Sequence, residues 1–324
     1  MTGSPIGRTV CDWVRSKARP LPFGPVPPGL EVDQVSKGFP TADGYVLVLD
    51  RVSLQVQRGR FMTLIGPTGC GKSTLLRVIA GLLRADSGTV SIFGESPSKA
   101  TAAKHVGFVP QSPALLPWRT VLDNVRLPFE VNKAADARRN GARAQSDESD
   151  EAVRSDEADE ADEGGAASTG PRNARSDPVK VLESFGLADV LTRKPGQLSM
   201  GMQQRVAIAR AFVFDPAILL MDEPFSALDE LTREHQRHEL LDVWQSDRKT
   251  VLFVTHSVAE AVTLGDYVAV MSGKPGRITA NIEVDLPRPR GRFLETTEEF
   301  YEVERRVRAE LRSASGLRDG PPPR

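Results

Sequence analysis

The segment GPTGCGKST at residues 66–74 constrains this chain more than any other feature, because it matches the pattern G-x-x-x-x-G-K-[ST]. The apolar run FMTLI before it predicts a buried strand, and the leucine and isoleucine spacing over 72–83 predicts a helix after it. Its three glycines permit backbone conformations in which successive N–H groups converge on phosphate oxygens. The helix adds its positive N-terminal end. The segment therefore predicts a phosphate-binding loop in an α/β fold.

Within this loop, Lys72 is expected to reach the β- and γ-phosphates of a nucleotide, and Ser73 to offer its hydroxyl to Mg²⁺. The alternative is a glycine-rich turn with a chance Lys-Ser pair. Cys70 is either a filler position or a redox-active thiol, and the first is favoured, since reactivity requires a low pKa and access. The predicted nucleotide-contacting residues are Gly66, Pro67, Thr68, Gly69, Cys70, Gly71, Lys72, Ser73 and Thr74.

A second apolar run, AILLMDEP at 217–224, ends in two carboxylates. A buried strand here would deliver Asp222 and Glu223 to the carboxyl edge of the sheet, where open α/β sheets bind ligands. Asp222 suits Mg²⁺ binding, and Glu223 is placed to polarise an attacking water as a general base. A surface turn is the alternative. Together with the phosphate loop, Asp222 and Glu223 favour a nucleoside triphosphatase.

Alternating strand and helix patterns predict an α/β domain with a largely parallel sheet. The predicted strands are 30–35, 46–57, 61–65, 88–94, 105–111, 217–221, 250–255 and 267–272. The predicted helices are 72–83, 120–131, 178–186, 200–213, 228–245, 257–264 and 296–313.

Composition sets the expected domain limits. Residues 1–28 form a Pro-rich irregular extension, 29–285 the main domain, and 286–324 a tail with one helix. Residues 132–177 have almost no large apolar side chains, which predicts a disordered acidic insertion. The net charge of −1 combines −9 over residues 146–163 with +8 elsewhere. Such a balance argues against a bulk nucleic-acid binder.

The chain is also expected to contain no membrane span. Its longest uncharged run covers residues 105–118 and includes three prolines, whereas a spanning helix needs about 20 apolar residues. No signal peptide is apparent, and two cysteines without metal-ligand spacing favour a reducing compartment.

The order of further motifs is more specific. LSMGMQQRVAIARA (198–211) precedes the acidic strand, SALD (226–229) follows it, VTHS (254–257) ends the next strand, and Gln111 ends strand 105–110. Over about residues 29–285, apart from the insertion, this order resembles the ATP-binding subunit of ABC transporters. The resemblance implies a P-loop nucleotide-binding domain with a RecA-like core, an antiparallel β subdomain and a helical subdomain. It also implies an ATPase with ATP and Mg²⁺ as cofactors.

The resemblance implies roles near one nucleotide. Phe39 would stack on adenine, although an ordinary core aromatic is the alternative. Gln111 would contact Mg²⁺ and link the site to a membrane partner. His256 would be the switch histidine that contacts the γ-phosphate. Gln111, Glu223 and His256 are therefore the predicted catalytic residues, and Ser73, Gln111 and Asp222 the predicted metal ligands.

Other implied roles involve a second copy of the chain. Ser199 and Gly201, in the signature motif, would bind the γ-phosphate held by that copy, and Asp229 would be the D-loop aspartate. The common signature is LSGGQ, and this chain has Met200 and Met202 at two of its positions. Met200 adds a side chain where a backbone N–H must approach phosphate, so this helix start could instead be purely structural.

LLPWRTVLDNV, GKPGRI and VDLPRPR together resemble the nitrate/sulfonate/taurine importer group. The resemblance implies a head-to-tail dimer at the cytoplasmic face of the inner membrane that binds an integral membrane permease. An extracytoplasmic solute-binding protein would be an indirect partner, and no nucleic-acid partner is expected. Exposed Leu115, Leu116 and Trp118 would receive a permease helix, or else pack within the helical subdomain.

Three other functions remain open from sequence. The first is a soluble ABC ATPase of DNA repair or translation, which would need a coiled-coil insertion or two nucleotide domains. The second is the ATPase of an exporter. The third is a non-hydrolysing regulatory subunit, which Met200 favours.

The remaining histidines carry no recognised metal motif. His235 and His238 share a helix face without a zinc pattern, which favours a solvated face, and His105 has no partner motif.

Overall fold

The computed structural model describes residues 28–42, 44–136 and 177–316. The strands of this part of the chain are β1 Pro28–Thr41, β2 Gly44–Gln57, β3 Phe61–Ile65, β4 Ser87–Ile92, β5 Val106–Val109, β6 Ile218–Asp222, β7 Thr250–Thr255, β8 Tyr267–Met271 and β9 Ile278–Glu283. The α-helices that lie wholly within it are α1 Lys72–Ile79, α2 Pro97–Ala102, α3 Val121–Glu130, α4 Pro178–Ser184, α5 Met200–Phe212, α6 Glu230–Gln245, α7 Val258–Leu264 and α8 Glu298–Ala314.

A six-stranded sheet with strand order β5-β6-β7-β3-β8-β9 forms the centre of the fold. All neighbouring strands are parallel except β8 and β9, which pair antiparallel. Every residue of β3, β6 and β7 is buried, as expected for strands covered on both faces. Because these strands are parallel, the segments that follow β3, β6 and β7 all emerge at one edge of the sheet.

A second sheet is antiparallel and has the strand order β2-β1-β4. It packs with α1 over one face of the central sheet, in a core that includes Leu49, Leu64 and Leu75. The predicted combination of a parallel core and an antiparallel β subdomain is therefore observed.

The opposite face of the central sheet packs on the helical region formed by α3 to α6. Phe61 of β3 belongs to this core, with its ring centroid 5.4 Å from that of Trp244 and 5.9 Å from that of Phe253. A third cluster joins α7, β8 and β9 to α8, which places the C-terminal helix against the domain.

Several predicted limits differ from the structure. The helix predicted over 72–83 ends at Ile79, because Gly81 adopts φ +73° and the N–H of Leu82 returns to the Arg77 carbonyl. Leu82, expected on the apolar face, is therefore 60% exposed. The strand predicted over 105–111 ends at Val109, so Gln111 lies beyond it. Helix α2 and strand β9 were not predicted.

Most of the extension and insertion, including the acidic block, lies outside the described residues. The regular structure nevertheless continues past the expected boundary at residue 132. Residues 133–136 are helical, Ala135 is buried, and Lys104 forms a 2.6 Å ion pair with Asp136. No helix in the described part of the chain combines the length and apolar character of a membrane span.

Candidate nucleotide site

The phosphate loop (residues 66–71) joins the end of β3 to the start of α1. Gly69 has φ +76° and Gly71 φ +104°, a region that strongly favours glycine. A Cβ at Gly71 would also lie 2.7 Å from the Leu49 side chain. The loop can therefore take this path only with glycine at these positions, and α1 starts with its N–H groups free to face an anion.

Lys72 lies across the phosphate loop. Its Nζ donates to the Gly66 carbonyl at 2.9 Å and to the Pro67 carbonyl at 3.3 Å, and it lies 3.7 Å from Glu223 Oε1. Cys70 is buried, and this burial raises the pKa of its thiol, which argues against redox reactivity. Thr68 is exposed, whereas Pro67 and Thr74 are partly buried.

Two of the predicted metal ligands, Ser73 in α1 and Asp222 at the end of β6, are in contact. Ser73 Oγ donates a 2.8 Å hydrogen bond to Asp222 Oδ1. Asp222 is buried, which raises its carboxyl pKa, and the Ser73 hydrogen bond opposes this. A hydroxyl and a carboxylate are hard oxygen donors, and Mg²⁺ usually binds through few protein ligands, with phosphate and water completing its shell. The donor set therefore fits Mg²⁺ held beside a nucleotide.

The other two predicted catalytic residues, Gln111 and His256, both lie next to Glu223. His256 Nδ1 lies 3.2 Å from Glu223 Oε2, and Gln111 Nε2 lies 3.5 Å from the same oxygen. We call Lys72, Gln111, Glu223 and His256 the Glu223 cluster. The segments after β3, β5, β6 and β7 supply one member each, so a single sheet edge assembles four side chains that are distant in sequence.

The backbone of Glu223 is itself unusual. Its φ of +45° lies in the left-handed region, which costs energy for a residue with a side chain. Its N–H donates to the Val254 carbonyl at 3.0 Å, which fixes the turn against β7. The side chain is thereby aimed along the sheet edge toward Lys72 and His256.

The predicted signature residues lie at the start of α5. Ser199 caps this helix, with its Oγ accepting from the Met202 N–H at 3.3 Å. Gly201 is buried, and a Cβ there would lie 3.3 Å from Thr232. Met200 is 49% exposed. Among the described residues, Ser199 makes no hydrogen bond to the Glu223 cluster, so the structure does not bring these two predicted groups together.

Asp229 caps α6, accepting from the Thr232 N–H at 3.0 Å, and this hydrogen bond lowers the pKa of its carboxyl. The helix predicted to begin at 228 therefore begins at Glu230. Asp229 is exposed, near Gly201 through their shared neighbour Thr232.

Phe39 lies in β1, paired with Val46 of β2, and is partly exposed. The hairpin that carries it is anchored by Asp86, which accepts from Lys37 Nζ at 2.6 Å and from the Gly38 N–H at 2.8 Å. These contacts lower the pKa of Asp86 to about 2. The ring is available for stacking, while the Lys37 ammonium lies 5.5 Å from its centroid.

Lys274 lies beside the phosphate loop and was not predicted as a site residue. A Cβ at Gly69 would be 3.3 Å from Lys274 Cε and 3.7 Å from its Nζ. The loop that carries Lys274 is fixed by the Gly276 N–H, which donates to the Val48 carbonyl at 2.8 Å. Lys274 lies in the GKPGRI segment (273–278), but nothing in that segment's sequence indicates that the turn folds back over residue 69.

The expected docking side chains differ in exposure. Trp118 is 68% exposed, whereas Leu115 and Leu116 are only partly exposed and Leu115 packs against the core. Arg210 of α5 donates to the Pro113 and Ala114 carbonyls at 2.9 and 3.0 Å. Leu115 therefore follows the packing alternative, Trp118 keeps the exposure expected for docking, and helix α5 holds the segment in place.

The solvated face expected for the histidine pair is also wrong in part. His235 is exposed and lies 3.2 Å from Glu239, but His238 is buried, and this burial lowers its pKa. His105 lies 3.4 Å from Glu95. Within the described ranges, no three His, Cys, Asp or Glu residues form a metal-binding group.

Comparison with known families agrees with this geometry. Residues 49–226 match the family model described as ABC transporter. The taurine import ATP-binding protein TauB of Rhizobium johnstonii is 37% identical, covering 89% of this chain and 98% of the relative. An aliphatic sulfonates import ATP-binding protein, SsuB of Bacillus cereus, is also 37% identical, covering 86% and 94%. An uncharacterised ABC transporter ATP-binding protein of Methanocaldococcus jannaschii is 40% identical, covering 86% and 89%.

Among solved structures, a dimeric ATP-binding cassette in a post-hydrolysis state, bound to ADP and Pi, has a TM-score of 0.60. It is 28% identical and covers 80% of this chain and 100% of its own. The chain belongs to the ABC transporter family, as an ATP-binding subunit of the ATPase class that is coupled to transport. The family, the fold and the ATPase class predicted from the motif order are confirmed.

Proposed function

We propose that this chain hydrolyses ATP to power import of a small anionic solute, of the nitrate, sulfonate or taurine type, through a separate membrane permease. The observation that carries the hydrolytic part is the Glu223 cluster. One carboxylate lies between a phosphate-loop lysine, at 3.7 Å, and a histidine, at 3.2 Å, at the carboxyl edge of a parallel sheet.

In this proposal the phosphate loop and Lys72 bind the β- and γ-phosphates. Phe39 stacks on the adenine. Glu223 accepts a proton from the water that attacks the γ-phosphorus, while His256 and Gln111 orient Glu223 and the γ-phosphate. The bond from the γ-phosphorus to the bridging oxygen breaks, and ADP and inorganic phosphate leave.

Ser73 and Asp222 would hold Mg²⁺, with Gln111 contributing from the segment that follows β5. Bound there, the cation would neutralise charge on the phosphate oxygens. The short contact between Ser73 and Asp222 supports this role, because it keeps both donors at one position before any ligand binds.

Two copies of the chain would sandwich two ATP molecules at a head-to-tail interface. Ser199 and Asp229 support this, since these exposed cap residues of α5 and α6, with Gly201 beside them, make no side-chain hydrogen bond to the Glu223 cluster within the described part of their own chain. The N-terminal end of α5 would then face the γ-phosphate bound by the second copy. Hydrolysis would remove that bridging group and release the two halves.

The permease would contact the segment around Trp118. An indole that is 68% exposed in an otherwise fixed segment suits insertion against an apolar partner helix. The chain would then lie peripherally on the cytoplasmic face of the membrane, with an extracytoplasmic binding protein delivering the solute. The taurine and sulfonate solute classes rest on the names of the import relatives.

Glu223→Gln tests the hydrolytic mechanism. Removing the general base should lower ATP turnover by at least about a hundredfold. ATP-dependent dimers should persist, because the phosphate loop and signature are unchanged, and size-exclusion chromatography with ATP would detect them. The wild-type chain with its permease must hydrolyse ATP for the proposal to hold. Absence of turnover would favour a non-hydrolysing regulatory subunit.

Uptake of taurine, an alkanesulfonate or nitrate into vesicles, carrying the permease and this chain inside, tests the solute and the direction. Uptake that requires internal ATP and Glu223 supports import. ATP-dependent efflux instead would identify an exporter.

A further inference from the structure

Glu260 is a buried carboxylate that the proposed hydrolysis does not use. It lies on α7, four residues after His256, and is 4% exposed. Burial raises the pKa of its carboxyl, so the surrounding fold must supply partners for its charge. One partner is the Thr255 hydroxyl, which donates to Glu260 Oε2.

That contact holds the turn which carries His256. Thr255 Oγ1 also accepts from the Ser257 N–H at 3.0 Å, and Ser257 Oγ accepts from the Glu260 N–H at 3.3 Å. Thr255 and Ser257, the residues on either side of His256, are therefore both hydrogen-bonded to Glu260. We call Thr255, His256 and Ser257 the switch turn.

The other carboxylate oxygen of Glu260 faces a different segment. Arg233 Nε, on α6, lies 3.7 Å from Glu260 Oε1. The same guanidinium donates to the Leu228 carbonyl at 2.8 Å and to the Phe225 carbonyl at 3.3 Å. Arg233 therefore fixes residues 225–229, the connecting loop, which runs from just after Glu223 to Asp229.

We propose that Glu260 is a positioning residue that couples the switch turn to the connecting loop through Arg233. The proposal rests on the proposed function, in which His256 contacts the γ-phosphate and Asp229 faces a second copy. A shift of His256 on nucleotide binding would be passed through Glu260 and Arg233 to Asp229. The site that senses the γ-phosphate would thus adjust the surface on which the dimer closes.

The planar guanidinium is needed for this link. It donates to two carbonyls, pairs with Glu230 at 2.9 Å and lies 3.7 Å from Glu260, an arrangement that a lysine ammonium on a flexible stem cannot reproduce. Arg237, the next basic residue on the same side of α6, also favours ionised Glu260, and it pairs with Glu295 at 3.2 Å. Arg237 therefore remains near Glu260 when Arg233 is changed.

The test uses Glu260→Gln, Arg233→Lys and the double variant of the full chain. Glutamine retains an acceptor for Thr255 but replaces the carboxylate oxygen that lies 3.7 Å from Arg233 Nε. Each single variant should lower kcat by about tenfold, as expected for a displaced catalytic constellation. ADP affinity should change less than about twofold, because the phosphate loop is untouched. The double variant should be no slower than the slower single variant, since both changes break one link.

Asp266→Asn is the matched control. Asp266 is also a buried carboxylate, it pairs with Arg288 at 2.8 Å, and it accepts from the Phe61 N–H at the opposite end of β3 from the phosphate loop. This variant should lose thermal stability yet keep its kcat. A kcat for Glu260→Gln that stays near wild type at a lowered melting temperature would overturn the proposal, as would additive losses in the double variant.

A separate readout distinguishes this proposal from the proposed function. In a Glu223→Gln background, the ATP concentration that half-saturates dimer formation should rise by about tenfold when Glu260→Gln is added, if the coupling loses about 1.4 kcal/mol. This measurement needs no hydrolysis. An inactive wild type contradicts the hydrolytic function alone, whereas an unchanged dimer curve contradicts the role of Glu260.

Discussion

The phosphate loop and the start of the signature helix α5 both present backbone N–H groups and a hydroxyl, yet their partners lie in different places. Lys72 and Ser73 contact carbonyls and carboxylates of their own chain, at 2.9 and 2.8 Å. Ser199 hydrogen-bonds within its own helix, at 3.3 Å. The phosphate-loop region thus has its contacts within one chain. The start of α5, in contrast, makes no side-chain hydrogen bond to the Glu223 cluster among the described residues. The difference supports a composite site in which a second copy receives the signature helix.

Lys72→Met should produce the largest loss of ATP affinity, because it removes the positive charge beside the phosphate loop. Two charge-assisted hydrogen bonds to phosphate, at about 1.5–3 kcal/mol each, correspond to at least a hundredfold loss of ATP affinity. Isothermal titration calorimetry of the single chain would measure it. Tight ATP binding by a folded Lys72→Met chain would contradict the assignment of the loop.

Ser199→Ala should leave single-chain ATP affinity unchanged but weaken the ATP-dependent dimer by about thirtyfold, because two hydroxyl–phosphate bonds of about 1 kcal/mol each are lost per dimer. Sedimentation equilibrium with the Glu223→Gln chain would measure this.

Thr297→Ala provides the matched control for Ser199→Ala. Thr297 caps α8 through the Phe300 N–H, also at 3.3 Å, so its removal costs a similar helix cap at a position away from the site. Equal dimer affinity in the two variants would show that Ser199 is only a cap.

Lys274→Met should have the smallest effect of the three, about threefold weaker ATP binding, because the exposed ammonium beside Gly69 acts through water rather than in a dry pocket. The loss should shrink as salt concentration rises. Lys180→Met, which removes an exposed lysine of α4, is the control. If the two variants bind ATP equally well, Lys274 contributes nothing to the phosphate site.

Local sequence was a good guide where one contiguous segment carries the information. FMTLI and GPTGCGKST predicted β3, the loop and the start of α1, since strand, glycines and lysine are all adjacent. It was a poorer guide to where elements end. Nothing in the apolar spacing of 72–83 shows that Gly81 closes the helix before Leu82. Strand β9 was missed although Ile278, Ala280 and Ile282 alternate with polar residues, the pattern of a half-buried strand.

The Glu223 cluster was predicted in part from residues and in part from resemblance. The DE pair after an apolar strand indicated a carboxylate at the sheet edge, whereas Gln111 and His256 entered through the motif order alone. Glu260 and Arg233 were missed. A buried carboxylate four residues after a histidine reads as an ordinary helical position, and only the packing of α6 against α7 brings the arginine to it.

The sequence by itself determined the phosphate loop, the acidic strand and the alternation of a parallel sheet, because each depends on residues that are neighbours along the chain. The tertiary structure decided which distant side chains meet. Strand order β5-β6-β7-β3-β8-β9 places the segment after β3 beside that after β7, and this brings Lys72, Glu223 and His256 within 4 Å of a neighbour in the cluster. It also placed Lys274 beside Gly69, which the sequence did not indicate. Pairing between strands and helices is fixed by burial across the whole core, which no local pattern encodes.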